Sequence, residues 1–237
     1  MDHRPPSIVI LTGAGISAES GLRTFRGSDG LWENHRVEDV ATPEAFHRDP
    51  DLVQRFYNER RRQLRNVQPN AAHLALAKLD REWPGELLLV TQNVDDLHDR
   101  AGSRRLLHMH GELRKARCTA CGSVQRWDED IEPASVCPDC SVRGRLRPHI
   151  VWFGEMPLDL DRIFEALEWA GIFLSIGTSG NVYPAAGFVQ AVTAVTRTVE
   201  INLEPGLVSH AFGEHRIGPA TQKVPEMVEE LLHDYLG

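Results

Sequence analysis

The chain has 237 residues, 41% of them apolar, and a formal net charge of -8 at pH 7. That length suits one domain, or a domain with a substantial insertion, and the apolar share is enough to bury a core and fold alone. The negative balance argues against general phosphate-backbone binding, so no nucleic-acid partner is expected.

The first apolar run, in "SIVILTGAG", is too short for a secretory h-region or a membrane span. A soluble, cytoplasmic protein with no membrane partner is expected. Read as a strand, the run leads into "GAGISAESG", which matches G-x-G-x-x-G/A at Gly13, Gly15 and Ala18. Glycines there allow a tight turn and let bare backbone approach a pyrophosphate; the plain alternative is an ordinary strand-to-helix turn. A dehydrogenase would next show a strand ending in an acid about twenty residues on. Here the chain instead runs through "LRTFRGSDGLWENHR" into a charged, helical stretch, which makes hydride transfer a poorer reading.

Next comes "NAAHLALAKLDR", an amphipathic helix with Asn70 as its cap. The run "ELLLVTQNVDD" reads as a buried parallel strand with a polar end. So do "IFLSIGTSG" and "TVEINLEPG", the last of which supplies a late strand-end acid, Glu204. Between them "LDRIFEALEWAG" carries an apolar helical stripe. The class is α/β, with helices on both faces of the sheet and ligands expected at the strands' carboxyl ends.

All four cysteines lie in one window, as Cys118-x2-Cys121 and Cys137-x2-Cys140 with fifteen residues between the pairs. That is zinc spacing; disulfides are the other reading. Four thiolates complete a tetrahedral shell and leave no open position for water, so such a zinc is structural. His108 and His110, a few residues earlier, are not needed as ligands. Two residues apart on an extended chain, they face opposite sides.

Seven motifs occur in the order found in sirtuins, the NAD-dependent protein-lysine deacylases. They are "GAGISAESGLRTFRGSDGLW", "TQNVDDLH", "HMHG", the CxxC pairs, "IVWFGE", "GTSGNVYPA" and "INLE", and they span nearly the whole chain. The sequence resembles that family. The resemblance implies a Rossmann-like parallel-sheet domain in three parts, 1–31, 73–113 and 146–237. It also implies a smaller domain made of a helical insertion, 32–72, and a zinc ribbon, 114–145. It implies NAD as co-substrate, one structural zinc and acylated-lysine proteins as partners.

For the NAD site, the resemblance points to Gly13, Ala14, Gly15, Ser17, Ala18, Thr24, Phe25, Arg26 and Trp32. Gln92, Asn93 and Asp95 match positions that hold the ribose, the nicotinamide carboxamide and a structural water. Gly177, Thr178, Ser179, Asn202, Leu203 and Glu204 match the phosphate and adenosine-ribose contacts, and Ala220 a loop over the adenine. Val151, Trp152, Phe153 and Gly154 match the substrate-binding stretch. His110, with Asn93, is implied to be catalytic. The acyl oxygen attacks C1′ of the ribose, nicotinamide leaves, the 2′-hydroxyl, activated through His110, captures the acyl carbon, and water then releases lysine and O-acyl-ADP-ribose. Imidazole titrates near neutrality, which suits a base in that step. His73, His108 and His149 are read as structural.

Thr24 stands where many sirtuins have aspartate, and "AFHRDPDLVQRFYNERRRQL" is similar to the branch, called class III, that removes succinyl, malonyl and glutaryl groups. Its Tyr-x-x-Arg pair corresponds to Tyr57 and Arg60, which share a helical face. Spacing alone does not choose Arg60 over Arg61, and a solvated basic face is the plain alternative. The competing functions are a deacetylase without acidic preference, a mono-ADP-ribosyltransferase on the same site, an NAD oxidoreductase and a zinc-ribbon binding module.

Overall fold

The computed structural model describes residues 5–22, 31–32 and 35–236. Thr24, Phe25 and Arg26 lie outside the described residues, as does the side chain of Trp32.

Strand β1 (Ile8–Thr12) is buried along its length and leads into the short helix α1 (Gly15–Ala18). An antiparallel pair, β2 (Leu31–Trp32) and β3 (His35–Arg36), precedes three helices: α2 (Val37–Val40), α3 (Pro43–Arg48) and α4 (Pro50–Gln63). Thr42 and Asp49 cap α3 and α4 by accepting from the N–H groups of Ala45 and Leu52. Each cap is followed by proline at the first helical position, where a missing N–H is harmless. Helix α5 (Ala71–Glu82) starts at the expected cap: Asn70 accepts from Ala72 and His73, and His73 Nδ1 accepts from the Asn70 N–H.

The chain continues through β4 (Leu87–Thr91), α6 (Leu97–Ala101) and β5 (Leu106–His108). It then enters an antiparallel sheet of β6 (Gly111–Cys118), β7 (Val124–Arg126) and β8 (Leu146–Ile150). It returns through α7 (Leu160–Glu168), β9 (Ile172–Ile176), α8 (Phe188–Ala191), β10 (Arg197–Asn202), β11 (Glu214–Ile217) and α9 (Ala220–Leu236).

The main sheet is parallel, in the order β11-β10-β9-β1-β4-β5. Its four central strands are the apolar runs of the sequence. The edges β5 and β11 have no counterpart there, because one has three residues and the other, Glu-His-Arg-Ile, is mostly polar. Alternation along β1 sends Ile8 and Ile10 to one core, under Leu76 and Leu79 of α5 and Met227 and Leu231 of α9. Val9 and Leu11 go to the other, under Ile163 and Leu167 of α7 and Phe188 of α8. No helix among the described residues is long and apolar enough to cross a membrane.

The helices of residues 37–63 pack on the small antiparallel sheet that carries the cysteines. Val40, Ala45, Val53, Phe56 and Leu64 pack against Leu113, Ile150 and Trp152. Helix α4 is also bonded to the ribbon's backbone. Gln54 donates to the Leu146 carbonyl at 2.8 Å, and Arg61 Nε to that of Leu113 at 2.7 Å. Asn58 donates to the Ile131 carbonyl and accepts its N–H. The small sheet runs from 111 to 150, wider than the cysteine window, because β6 needs β8 as its partner.

The four cysteines are free thiols whose sulfurs all lie within 4.8 Å of one another. Cys118 and Cys140 are 3.7 Å apart, and Cys121 and Cys137 are 3.8 Å apart. A tetrahedral zinc with Zn–S bonds of about 2.3 Å requires S···S edges of about 3.8 Å, so the donor set fits the metal without rearrangement. The ribbon buries little besides Ala116, Ile131 and Leu146. A core that small depends on its metal. Cys137→Ala is therefore expected to lose the zinc and to unfold at a lower temperature, read by metal analysis and thermal melting. A metal-free variant with unchanged stability and activity would contradict the structural role.

Candidate active site

A cleft of about 840 Å³ lies between the carboxyl ends of β1, β4, β9 and β10 and the small sheet with its helices. One wall carries Gly13, Ala14, Gly15, Ser17 and Ala18 after β1 and Gln92, Asn93 and Asp95 after β4. It continues with Gly177, Thr178 and Ser179 after β9, Asn202, Leu203 and Glu204 at and beyond the end of β10, and Ala220 at the start of α9. The other carries Tyr57 and Arg60 of α4 and Val151, Trp152, Phe153 and Gly154 after β8, with His110 also lining the cleft. The described residues expected to touch dinucleotide or substrate thus share one cavity.

The strand order reverses at β1, and the turns after β1 and β9 meet there backbone to backbone. Gly15 N–H donates to the Gly177 carbonyl at 2.9 Å, and Gly13 N–H to that of Ile176 at 2.9 Å. A Cβ on Gly13 would come within 2.7 Å of Gly177 O, and one on Gly15 within 2.6 Å of Gly177 Cα. Gly177 itself has φ +63°. Only glycine fits this crossing, and it leaves bare main chain facing the cleft, as a close-held pyrophosphate requires.

Behind that crossing sits a buried polar network. The Asn93 amide donates to the Gly13 carbonyl and to Ser17 Oγ, both at 3.1 Å, and Ser17 Oγ donates to Asp95 at 3.0 Å. Asp95 also accepts the Leu97 N–H. Burial raises the Asp95 pKa, and these two bonds oppose the rise. His73 Nε2 lies 3.4 Å from Ser17 Oγ, and His98 Nε2 lies 3.0 Å from Thr12 Oγ1. Burial holds both histidines below their ordinary pKa, His73 at about 4, so they serve as neutral hydrogen-bonding groups.

The two histidines of "HMHG" differ in the partners of their ring nitrogens. His110 Nδ1 is 3.1 Å from the Gln92 carbonyl, which can only accept, so the proton sits on Nδ1 and Nε2 keeps its lone pair. Burial lowers the His110 pKa, and the Gln92 carbonyl only partly offsets this. His108 faces acceptors on both nitrogens, the Asn93 carbonyl at 3.4 Å and the Asp99 carboxylate at 3.0 Å. Burial disfavours its charge, but Asp99 outweighs burial and raises the pKa. Both ring nitrogens of His108 are thus taken up by acceptors, whereas His110 Nε2 remains able to accept a proton.

A buried acid behind the cleft was not singled out in the sequence. Glu200, 1% exposed in β10, accepts from the Gly206 N–H at 3.0 Å, from Asn202 Nδ2 at 3.1 Å and from Ser209 Oγ. It fixes the turn that carries Leu203 and Glu204, both exposed. The available signal was a lone acid inside the apolar strand "VEIN".

Residues 13–184 match the model of the Sir2 family. The chain is 61% identical over 230 residues to an "NAD-dependent protein deacylase" of Escherichia coli (strain K12), covering 96% of this chain and 82% of that protein. A solved Sir2 homolog–NAD complex superposes with a TM-score of 0.88 at 40% identity, covering 98% of this chain and 92% of the other. The structure of Sir2Af2 bound to a myristoylated histone peptide superposes with a TM-score of 0.74 at 31% identity, covering 98% and 93%. With the Sir2 model matched over residues 13–184 and a relative 61% identical over 96% of its length, the chain belongs to the Sir2 family.

Proposed function

We propose that this NAD-dependent protein deacylase acts on lysines whose acyl chain ends in a carboxylate, such as succinyl or malonyl, with acetyl as a lesser substrate. The observation that carries the reading is the placement of Tyr57 and Arg60 on the cleft wall. Helix α4 turns Val53, Phe56, Tyr57, Arg60 and Leu64 inward at helical spacing. Arg60 is 6% exposed, with its guanidinium 4.2 Å over the Phe56 ring and its Nη1 donating to the Phe56 carbonyl. A buried guanidinium on a cavity wall favours an anion there, and its fork matches a carboxylate with two parallel bonds. Burial raises the Tyr57 pKa, so the phenol keeps its proton and can donate. Arg61 does not line the cleft; it donates to the Leu113 carbonyl and to Asn58 Oδ1.

NAD supplies a ribose carbon that gives up nicotinamide and a hydroxyl that receives the acyl group. The protein's part is to hold the reactants and move a proton. The glycine crossing, Thr178 and Ser179 would hold the dinucleotide's phosphates, Asn93 and Asp95 would serve its nicotinamide ribose, and Ala220 its adenine, since all line the same cleft. His110 Nε2 takes the hydroxyl proton, and the Gln92 carbonyl fixes the tautomer that allows it. Val151, Trp152, Phe153 and Gly154 border the acyl-lysine.

His110→Ala is expected to lower kcat by about a hundredfold to ten-thousandfold while NAD still binds. His108→Ala is expected to cost much less; an inactive His108→Ala beside a near-normal His110→Ala would reverse the assignment. Because the base acts only when neutral and its pKa is lowered, the acid limb of the kcat/KM profile is expected to have its midpoint below about pH 6.5. Arg60→Met is expected to lower kcat/KM for a succinyl peptide by about tenfold to a thousandfold, and to lower its ratio to the acetyl value. Arg61→Met is expected to reduce stability and both activities together. Equal losses in a stable Arg60→Met would overturn the acidic preference.

A further inference from the structure

The acyl end of the cleft contains a connected set of side chains beyond the Tyr57 and Arg60 pair. Trp152 Nε1 lies 3.0 Å from the Tyr57 oxygen, and both side chains are buried. Indole nitrogen can only donate, so in this bond the phenol oxygen accepts. The phenol's own hydrogen takes no part in it and must lie in another direction about the oxygen. An acceptor-only partner at the same place would have drawn that hydrogen to itself and left the oxygen's lone pairs toward the cavity, where they would repel a carboxylate.

Trp152 is itself held from two sides. The Arg147 guanidinium stacks 3.4 Å over the indole ring and forms a two-pronged bond to Glu155, at 2.7 and 2.9 Å. Glu155 also accepts the Trp152 backbone N–H at 2.9 Å, and Arg147 donates to the Ile150 carbonyl at 2.8 Å. The ring plane and the main chain of Trp152 are therefore both fixed before any substrate arrives. A planar stack with a bidentate partner restricts rotation far more than packing alone.

We infer that Trp152, clamped by Arg147 and Glu155, is a specificity-determining positioning residue that makes the Tyr57 hydroxyl a hydrogen-bond donor to a carboxylate-ended acyl chain. The inference rests on the acidic-acyl reading above and deepens it. Trp152 acts through Tyr57: its N–H takes no part in holding the carboxylate, and its effect disappears once the phenol oxygen is gone.

The test is a double-mutant cycle between Trp152→Phe and Tyr57→Phe, read as the ratio of kcat/KM for succinyl and acetyl forms of one peptide, with thermal melting of each variant. Phenylalanine at 152 keeps an aromatic ring under Arg147 and removes the N–H. Either single variant is expected to lower the ratio by roughly threefold to thirtyfold, the scale of one lost hydrogen bond. The double variant is expected to lower it no further than Tyr57→Phe alone, a non-additivity that general loss of packing would not produce. Independent, multiplying losses, or an unchanged ratio in a folded Trp152→Phe while Arg60→Met still lowers it, would overturn this inference and leave the acidic-acyl reading standing. A wild type with no succinyl turnover would overturn both.

Discussion

Gly13, Gly15 and Gly177 lie so close that none can carry a side chain, and the geometry of the cleft follows from that contact. It joins the ends of β1 and β9 where the strand order reverses, so main chain rather than side chains faces the dinucleotide. Asn93 reaches across from the turn after β4 to the Gly13 carbonyl and Ser17, which ties a third strand end to the same point. Gln92, one residue earlier, sets the tautomer of His110. His110, the proposed base, is thus positioned relative to the turn after β1 by two adjacent residues of one loop. A side chain forced into the crossing would displace that turn and, through Asn93 and Gln92, His110.

The other wall has a different origin. Two insertions far apart in sequence fuse because α4 uses its faces differently. Gln54, Asn58 and Arg61 bond to the ribbon and to β6, while Tyr57 and Arg60 line the cleft. The zinc ribbon continues directly into β6 and β8, and β8 leads into Trp152. The metal therefore supports this wall of the cleft from a distance, through backbone pairing and buried hydrogen bonds, without an open coordination position. Its removal would be felt at α4 and Trp152 as loosened geometry.

Much of this was legible in the sequence for physical reasons. Buried parallel strands must be continuously apolar, so the four central strands were visible, whereas β5 and β11 were hidden by brevity and polarity. Cysteine spacing revealed the ribbon because thiolate geometry is strict. Period-two alternation separated His108 from His110, but what distinguishes their ring nitrogens is their carbonyl and carboxylate neighbours, which no spacing encodes. Helical periodicity could not choose between Arg60 and Arg61, since both are buried and the choice depends on which neighbour each face meets. Glu200 was missed because its partners, the Gly206 N–H and Ser209, become neighbours only when the chain turns back after β10.

The central claim is that the cleft is built for an acyl chain ending in a carboxylate. A competition assay with the wild-type protein tests it most directly: equimolar acetyl-lysine and succinyl-lysine forms of one peptide, with NAD, followed by mass spectrometry. The account predicts faster loss of the succinyl form, with O-succinyl-ADP-ribose and nicotinamide appearing in equal amounts. Equal or faster loss of the acetyl form, or ADP-ribose transferred to the peptide in place of the acylated product, would contradict it.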